Sequence, residues 1–312
     1  MLTRRTILLS TLAGLALGSA QGALAGEITH DLGVTQVPDA PQRVVVLEYS
    51  FIDALASVGM VPVGIADDNK AERVMGVYGE VLGEGWTSVG TRKTPSLEVI
   101  ASLQPDLIIA DTTRHSAAYG TLGQIAPTIV LDSLGGDYHA SVAQMQLIGE
   151  AIGKPEEMAA RIAAHKATMA DYAAKIAPHA AGVAAQFGVV NATGLYLHSP
   201  VSYNGSLLEM LGFSSKMTPG EGGVYETNYV ETTLEQLSEL DPDLLILGEY
   251  TDPSKTDEWA GEPLWQALTA VQSDQVHYVT ANNWSRLRGM VAAELTAADI
   301  LQIVGGDDDG DS

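Results

Sequence analysis

The chain has 312 residues, of which 46% are hydrophobic, 18% are charged and none is cysteine, so it is long enough for one large domain or two smaller lobes. Its 39 acidic side chains outnumber its 16 lysines and arginines, and the net charge of −23 argues against nucleic acid or anionic lipid as a partner. The lack of cysteine excludes disulfides, thiolate metal sites, iron–sulfur clusters, a cysteine nucleophile and a lipid anchor on an N-terminal cysteine.

The first 25 residues have the pattern of a cleaved signal peptide. Arg4 and Arg5 precede an apolar run from Ile7 to Leu17, and Ala23-Leu24-Ala25 has the small-x-small form of a cleavage site. The apolar run is shorter than the roughly 20 residues that a membrane-spanning helix needs. We therefore predict export, cleavage near Ala25 and a mature chain from Gly26. The arginine pair favours the twin-arginine route, although the run would also serve the general secretory route.

Residues 26–139 are predicted to form a first α/β lobe. Short apolar runs alternate there with helical or loop segments, which is typical of buried parallel strands. The predicted strands are residues 43–47, 61–65, 88–89, 107–110 and 128–131.

Residues 140–177 are predicted to be a helical linker. A helix over 141–152 leads into a longer one that has Pro155 at its first position and ends at Pro178. About 22 residues at roughly 1.5 Å each give a rod of about 33 Å, long enough to join two lobes. His165 lies on the apolar face of this rod with no other histidine, which favours a packing role over metal ligation.

Residues 178–304 are predicted to form a second α/β lobe, followed by an acidic disordered tail over 305–312. The predicted strands are residues 183–190, 195–197, 244–247 and 276–279, and the predicted helices are residues 206–211, 263–271 and 292–304.

A repeated helix–strand unit supports this two-lobe organisation. Residues 96–110 and 233–247 are identical at seven of fifteen positions. Each copy has a hydroxyl N-cap, a glutamate in the first helical turn (Glu98 and Glu235), a proline that stops the helix and then an apolar strand. Two copies 137 residues apart predict two similar lobes rather than one doubly wound sheet or a solenoid.

Four of the seven arginines in the predicted mature chain follow strand ends. These are Arg92, Arg114, Arg286 and Arg288, two from each half. In open α/β sheets the loops beyond the carboxyl ends of the strands form the ligand crevice. A cleft between the lobes would therefore be a positive pocket in a negative protein, suited to a small polyanion, because guanidinium groups pair with carboxylate or phosphate. The alternative is that they are surface arginines paired with the abundant acids.

Aromatic side chains could add walls to such a cleft. Trp284 and Tyr203 are candidates, although each could equally be a packing residue, and Glu48 and Tyr49 follow a strand end that places them at the rim. Enzyme motifs are not found: the sequence has no HExxH, no G-x-S-x-G and no glycine-rich phosphate loop after a strand. The scattered histidines also argue against a zinc receptor.

Several segments closely resemble the periplasmic ferric-dicitrate-binding proteins of iron-importing ABC transporters, within the wider family of siderophore and cobalamin receptors. The similarity is strong from about 43 to 166 and patchy from about 177 to 262. The matching segments are residues 46–55, 62–69, 88–92, 108–115, 124–127, 204–206, 284–289 and 292–294.

This resemblance implies a fold, a site and partners. The fold would be two Rossmann-like lobes joined by one long rigid helix, the type III periplasmic binding protein, acting as a monomer in the periplasm. The four arginines would face the ligand, while Glu98 and Glu235 would dock on an inner-membrane permease, on surfaces that we expect to lie away from the arginine-bearing loops. The helix dipole alone could explain both glutamates.

The predicted function is capture of an iron(III) chelate of citrate, with ferric dicitrate as the ligand and no cofactor. Citrate oxygens can fill the iron coordination sphere, so the protein need not ligate the metal. Another carboxylate or a citrate–hydroxamate siderophore is the second candidate, and a periplasmic hydrolase or a sensor domain is the contrasting class.

Overall fold

The computed structural model describes residues 24–305. The predicted signal peptide, apart from its last two residues, and the predicted tail beyond Gly305 lie outside the described residues. Within the described range, no helix combines the length and the apolar character needed to cross a membrane.

The first lobe begins with an antiparallel hairpin and continues with strands and helices in alternation. In chain order its elements are β1 (Leu24–His30), β2 (Gly33–Pro38), β3 (Val44–Val46), α1 (Tyr49–Ser57), β4 (Gly64–Ile65), α2 (Glu72–Leu82), β5 (Thr87–Ser88), α3 (Leu97–Ser102), β6 (Leu107–Asp111), α4 (Thr112–His115), α5 (Tyr119–Ile125) and β7 (Thr128–Leu131).

The first sheet is parallel, in the order β5-β4-β3-β6-β7. Its strands are continuous apolar runs because both faces are covered, one by a cluster around α1 and α2 and the other by a cluster around α3 and α5. The hairpin lies against the edge strand: the Asp31 amide donates to the Val130 carbonyl (3.0 Å) and the Thr35 hydroxyl to the Thr128 carbonyl (2.9 Å).

The linker consists of α6 (Tyr138–Ala151) and α7 (Pro155–Ala180). The prediction that Pro178 ends the long helix is wrong, because Pro178 lies inside the last turn of α7 and the helix runs two residues further. Its 26 residues span about 39 Å at 1.5 Å each. His165 is fully buried and contacts Tyr138 and Glu294, as expected of a packing residue.

The second lobe repeats the alternation of strands and helices. Its elements are β8 (Ala185–Val190), β9 (Leu195–His198), α8 (Tyr203–Met210), α9 (Val224–Asn228), β10 (Tyr229–Thr232), α10 (Leu234–Leu240), β11 (Leu244–Glu249), α11 (Lys255–Trp259), α12 (Pro263–Gln266), α13 (Thr269–Gln272), β12 (Val276–Thr280) and α14 (Met290–Gly305). The single helix predicted over 263–271 is thus two short helices, α12 and α13.

The second sheet has the order β10-β9-β8-β11-β12, in which β8, β11 and β12 are parallel and β9 runs antiparallel between β8 and β10. The last helix crosses between the lobes: Met290 and Ala292 belong to the first lobe's core, whereas Ala297 and Ile300 belong to the second lobe's core. Two α/β lobes joined by a long helix are confirmed. The exact boundaries between lobes and linker stay a prediction, since those at 139/140 and 177/178 fall inside α6 and α7.

Candidate functional site

Two of the four predicted arginines meet at a buried carboxylate. Glu48 ends the connection from β3 into α1, and its side chain is fully buried. Its Oε1 lies 2.8 Å from Nε of Arg114, and its Oε2 lies 3.2 Å from Nη1 of Arg92. β3, β5 and β6 belong to one parallel sheet, in which β3 and β6 are adjacent and β4 separates β3 from β5. Their carboxyl ends lie at the same edge, so the topology brings these three side chains together.

Asp68, at the more exposed side of this cluster, lies close to three arginine side chains. It accepts hydrogen bonds from the amide and guanidinium of Arg92 and from Nη1 of Arg73 (2.8 Å), and Nη1 of Arg286 lies 3.8 Å away. Burial alone would raise the pKa of Asp68, but the bonds and charge of Arg92 outweigh it and lower the pKa to about 2. Arg286 comes from the second lobe, so this carboxylate links the two halves of the cleft.

Arg288 is the most isolated cation of the group. The residue is 4% exposed, and its Nη2 donates to the Tyr229 hydroxyl at 2.8 Å. Among the residues that the structure describes, no carboxylate lies within 4.0 Å of its guanidinium. Burial alone would lower the pKa of Arg288, but Tyr229 and the charge of Glu48 outweigh burial and raise the pKa. The guanidinium therefore stays charged and can pair with an incoming anion.

Tyrosine rings flank the guanidinium groups. The Arg92 guanidinium carbon lies 4.1 Å from the centre of the Tyr49 ring, and Arg286 and Arg114 lie 4.7 and 5.9 Å from the rings of Tyr250 and Tyr225. Such contacts hold a planar cation at a fixed orientation. Tyr49 is itself fully buried beneath Arg92, so its predicted rim position is wrong and it supports the cluster from below.

Trp284 and Tyr203 are core residues. Trp284 is 1% exposed, packs on Phe187 and donates its indole N–H to Asp299; Tyr203 is 2% exposed and donates its hydroxyl to the Gly289 carbonyl. Side chains buried to this extent cannot form walls of an open cleft, so the prediction of walls is corrected for both.

Two cavities open beside the arginine cluster. One of about 510 Å³ is lined by Arg73, Arg286 and Tyr250, and one of about 470 Å³ by Tyr225 and Tyr229. A larger cavity of about 700 Å³ lies between α6 and α7, but its lining is mainly alanine and larger apolar side chains. We place the site at the arginines, because an anion needs several converging donors.

The cluster is suited to binding an anion rather than to catalysis or direct metal ligation. Its five guanidinium groups face two carboxylates, Glu48 and Asp68, which leaves a formal excess of three positive charges in a strongly acidic protein. The described residues contain no group of three or more histidines and acids arranged to hold a metal ion.

Glu98 and Glu235 are exposed in the first turns of α3 and α10. The expectation that they lie away from the arginine-bearing loops is wrong. The turn of α3 follows the Arg92 loop directly, and α10 follows β10, which runs parallel to β8, so both helices begin at the carboxyl-end edges of their sheets. The two glutamates therefore flank the cleft, one on each lobe.

The sequence did not identify several members of the cluster. Arg73 lies inside α2 rather than in a strand-end loop, while Tyr225, Tyr229 and Tyr250 lie in the patchy part of the chain. Asp67 and Asp68 lie two and three residues after the end of β4, and this position near a strand end was the signal in the sequence that could have identified Asp68.

Comparisons with known proteins agree with this fold. The Fe(3+) dicitrate-binding periplasmic protein FecB of Escherichia coli (strain K12) is 41% identical, covering 90% of this chain and 91% of the relative. The Fe(3+)-citrate-binding protein YfmC of Bacillus subtilis (strain 168) is 40% identical, covering 89% of this chain and 85% of the relative. The fold is similar to that of Staphylococcus aureus SirA, whose structure was solved with staphyloferrin B, with a TM-score of 0.76 and 22% sequence identity. The match covers 90% of this chain and 98% of SirA.

A family model described as periplasmic binding protein matches residues 44–282. This match spans both lobes and the linker helices between them, and the two relatives above agree over nearly the whole chain. The chain therefore belongs to the periplasmic binding protein family.

Proposed function

We propose that this protein captures ferric dicitrate outside the cytoplasm and delivers it to the permease of an ABC importer. As a member of a family of substrate-binding proteins, the chain is not an enzyme. The names of the two relatives support iron citrate as the ligand. Export with cleavage near Ala25, by the twin-arginine route into the periplasm, and action as a monomer belong to the same proposal.

The observation that carries this proposal is the arginine cluster, in which Arg288 is buried and has no carboxylate within 4.0 Å among the described residues. Iron(III) is a hard cation whose coordination sphere citrate oxygens can fill. The remaining outer carboxylates of the chelate would then pair with the guanidinium groups of both lobes. The protein supplies charge and shape, and the chelate supplies the metal ligands.

Binding can be tested by titration of the mature protein, followed through tryptophan fluorescence and calorimetry. Trp284 lies two residues from Arg286, so ligand in the cleft should alter its emission. Four ligands separate the candidates: ferric citrate, iron-free citrate, haem and a ferric hydroxamate siderophore. We expect the tightest binding for ferric citrate. Tight haem binding without a response to ferric citrate would overturn the proposal, and preference for the hydroxamate would move it to the second candidate.

Docking on the permease is proposed to use Glu98 and Glu235. Both are exposed, neither has a cation within 4.0 Å in the described part of the chain, and one lies on each lobe beside the cleft. Basic residues of the permease that pair with both carboxylates would orient the bound protein so that its cleft opens toward the transport pathway of the permease.

A further inference from the structure

One buried carboxylate ties the two lobes together next to the cleft. Asp53, in α1 of the first lobe, is fully buried and accepts hydrogen bonds from the amides of Met290 (2.7 Å), Val291 (3.2 Å) and Ala292 (3.0 Å). It also accepts the Tyr78 hydroxyl at 3.0 Å. Burial raises the pKa of Asp53, and the hydrogen bonds from these four donors oppose this shift by favouring the ionised form.

Those three amides form the first turn of α14, which has no acceptor of its own for them. Asp53 therefore acts as the N-terminal cap of a helix more than 230 residues further along the chain. The cap belongs to one lobe, while most of the helix packs in the other.

The backbone just before α14 is fitted to this cap. Gly289 has φ of +128°, and a Cβ there would lie 2.4 Å from Cγ of Asp53, so only glycine allows the approach. On its other side, Gly289 exchanges hydrogen bonds with the Tyr203 hydroxyl of the second lobe. Gly289, the residue after Arg288, thus contacts Asp53 of the first lobe and Tyr203 of the second lobe.

We propose that Asp53 is a positioning residue for ligand binding, which holds the Arg288 loop at a fixed distance from Arg92 and Arg114 by capping α14 across the lobes. This inference rests on the proposed function for its binding test. Without the cap, the loop over 282–289 would keep the Asn282 hydrogen bond to the Arg73 carbonyl and the packing of Leu287 on the first lobe. The segment next to Arg288 would lose its hydrogen bonds to that lobe, so ligand binding would have to order this segment again.

A double-mutant cycle measures this role. Asp53→Asn keeps the side-chain volume but removes the charge and turns an N–H group toward the α14 amides. We expect it to weaken ferric dicitrate binding by roughly tenfold in the otherwise unchanged protein, and by less than about twofold when Arg288 is already alanine, because the two residues act through one contact. On an Arg114→Ala background the tenfold loss should remain, since Arg114 is held by Glu48 within the first lobe.

Equal losses on all backgrounds would mean that Asp53 only stabilises the fold, which would overturn the proposal. If Asp53→Asn does not fold, Tyr78→Phe removes one of the four donors and should give the same pattern at smaller amplitude.

Hydrogen exchange followed by mass spectrometry tests the cap without ligand. In Asp53→Asn, exchange should become faster in peptides that span 282–292 and stay unchanged in β6 and β11. Uniform acceleration, or none, would refute the cap as a local positioning device. If the wild-type protein does not respond to ferric dicitrate, the proposed function fails, whereas the exchange pattern still decides the role of Asp53.

Discussion

Arg288 and Arg92 are both buried in the cleft, but their partners differ, so their removal should have different consequences. Arg288→Ala should weaken ferric dicitrate binding by about 2 to 5 kcal/mol. The free energy of unfolding should change little, because in the described part of the chain no carboxylate within 4.0 Å loses a partner. Calorimetric titration together with thermal unfolding checks both parts. An affinity loss below about 0.5 kcal/mol would place Arg288 outside the ligand contact.

Arg92→Ala provides the contrast. It should also weaken binding, but it removes one of the two arginine partners of the buried Glu48 and one of the three arginine partners of Asp68. Breaking a buried pair from one side costs about 3 kcal/mol or more of stability. We therefore expect a clear fall in the unfolding midpoint for Arg92→Ala and none for Arg288→Ala. Equal midpoints would show that the pairs of Arg92 with Glu48 and Asp68 add no net stability.

His198 should make the fold sensitive to acid. Burial, assisted by the charge of Arg288, lowers its pKa to about 3. Below pH 6.5 the unfolded chain therefore takes up a proton that the folded chain refuses, so stability falls as the pH falls from 6.5 toward 3. The loss attributable to this group is about 2 kcal/mol between pH 8 and pH 5.

Denaturant unfolding at several pH values checks this prediction. His198→Gln should flatten the decline by that amount relative to the unchanged protein, and His179→Gln, at an exposed histidine near the end of α7, should not. If the free energy of unfolding falls equally with pH in His198→Gln and in the wild type, His198 does not cause the loss of stability in acid.

Strand-end position was sufficient to find four arginines, but it could not tell an exposed wall from a core residue. Trp284 follows a strand end just as Arg286 does, yet its ring turns inward onto Phe187. The direction of the Trp284 side chain is set by one turn of π-helix over Asn282–Arg286, and no periodicity in the sequence predicts this turn. Pairing of arginines with Glu48 and Asp68 likewise depends on which strands are neighbours.

The two copies of the repeated unit begin with caps of different strength. Ser96 accepts from the Val99 amide alone, whereas Thr233 and Gln236 form a reciprocal capping box at the start of α10. Thr233→Ala should lower the free energy of unfolding by about 1 kcal/mol, as N-cap removal generally does. Urea unfolding checks this, with Ser238→Ala on the same helix as the control. A change no larger than the control's would show that α10 is held by packing alone.

Apolar strands and long helices were predicted well, since both faces of the parallel sheets are buried and α7 carries a regular apolar stripe. The hairpin of β1 and β2 was not predicted, because it is half exposed and has no run of apolar residues. The end of α7 was misplaced since proline lacks only its own N–H: Ala181 still donates to the Ala177 carbonyl, and the last turn closes.

At the scale of the whole molecule, the paired glutamates predict a separation of binding from transport. The variant Glu98→Arg with Glu235→Arg should bind ferric dicitrate nearly as tightly as the wild type, because neither residue is part of the arginine cluster. Citrate-dependent iron uptake in cells should collapse, because like charges would meet at the permease at a cost of several kcal/mol.

The control for charge is Glu209→Arg on α8, an exposed glutamate outside both proposed docking helices. It should transport normally. If the double variant folds, binds and supports uptake at the wild-type rate, both glutamates act only on their helix dipoles, and the docking assignment is withdrawn.

The hairpin near the start of the predicted mature chain should also limit self-association of the protein. Strand β7 ends the first sheet, and its outward carbonyls at Thr128 and Val130 are occupied by the hairpin. An uncovered edge strand is a template for the strand of another molecule. A chain shortened past Pro38 would keep both lobes and every cleft arginine, yet its bare edge should drive it into aggregates, so colloidal stability depends on residues next to the predicted cleavage site.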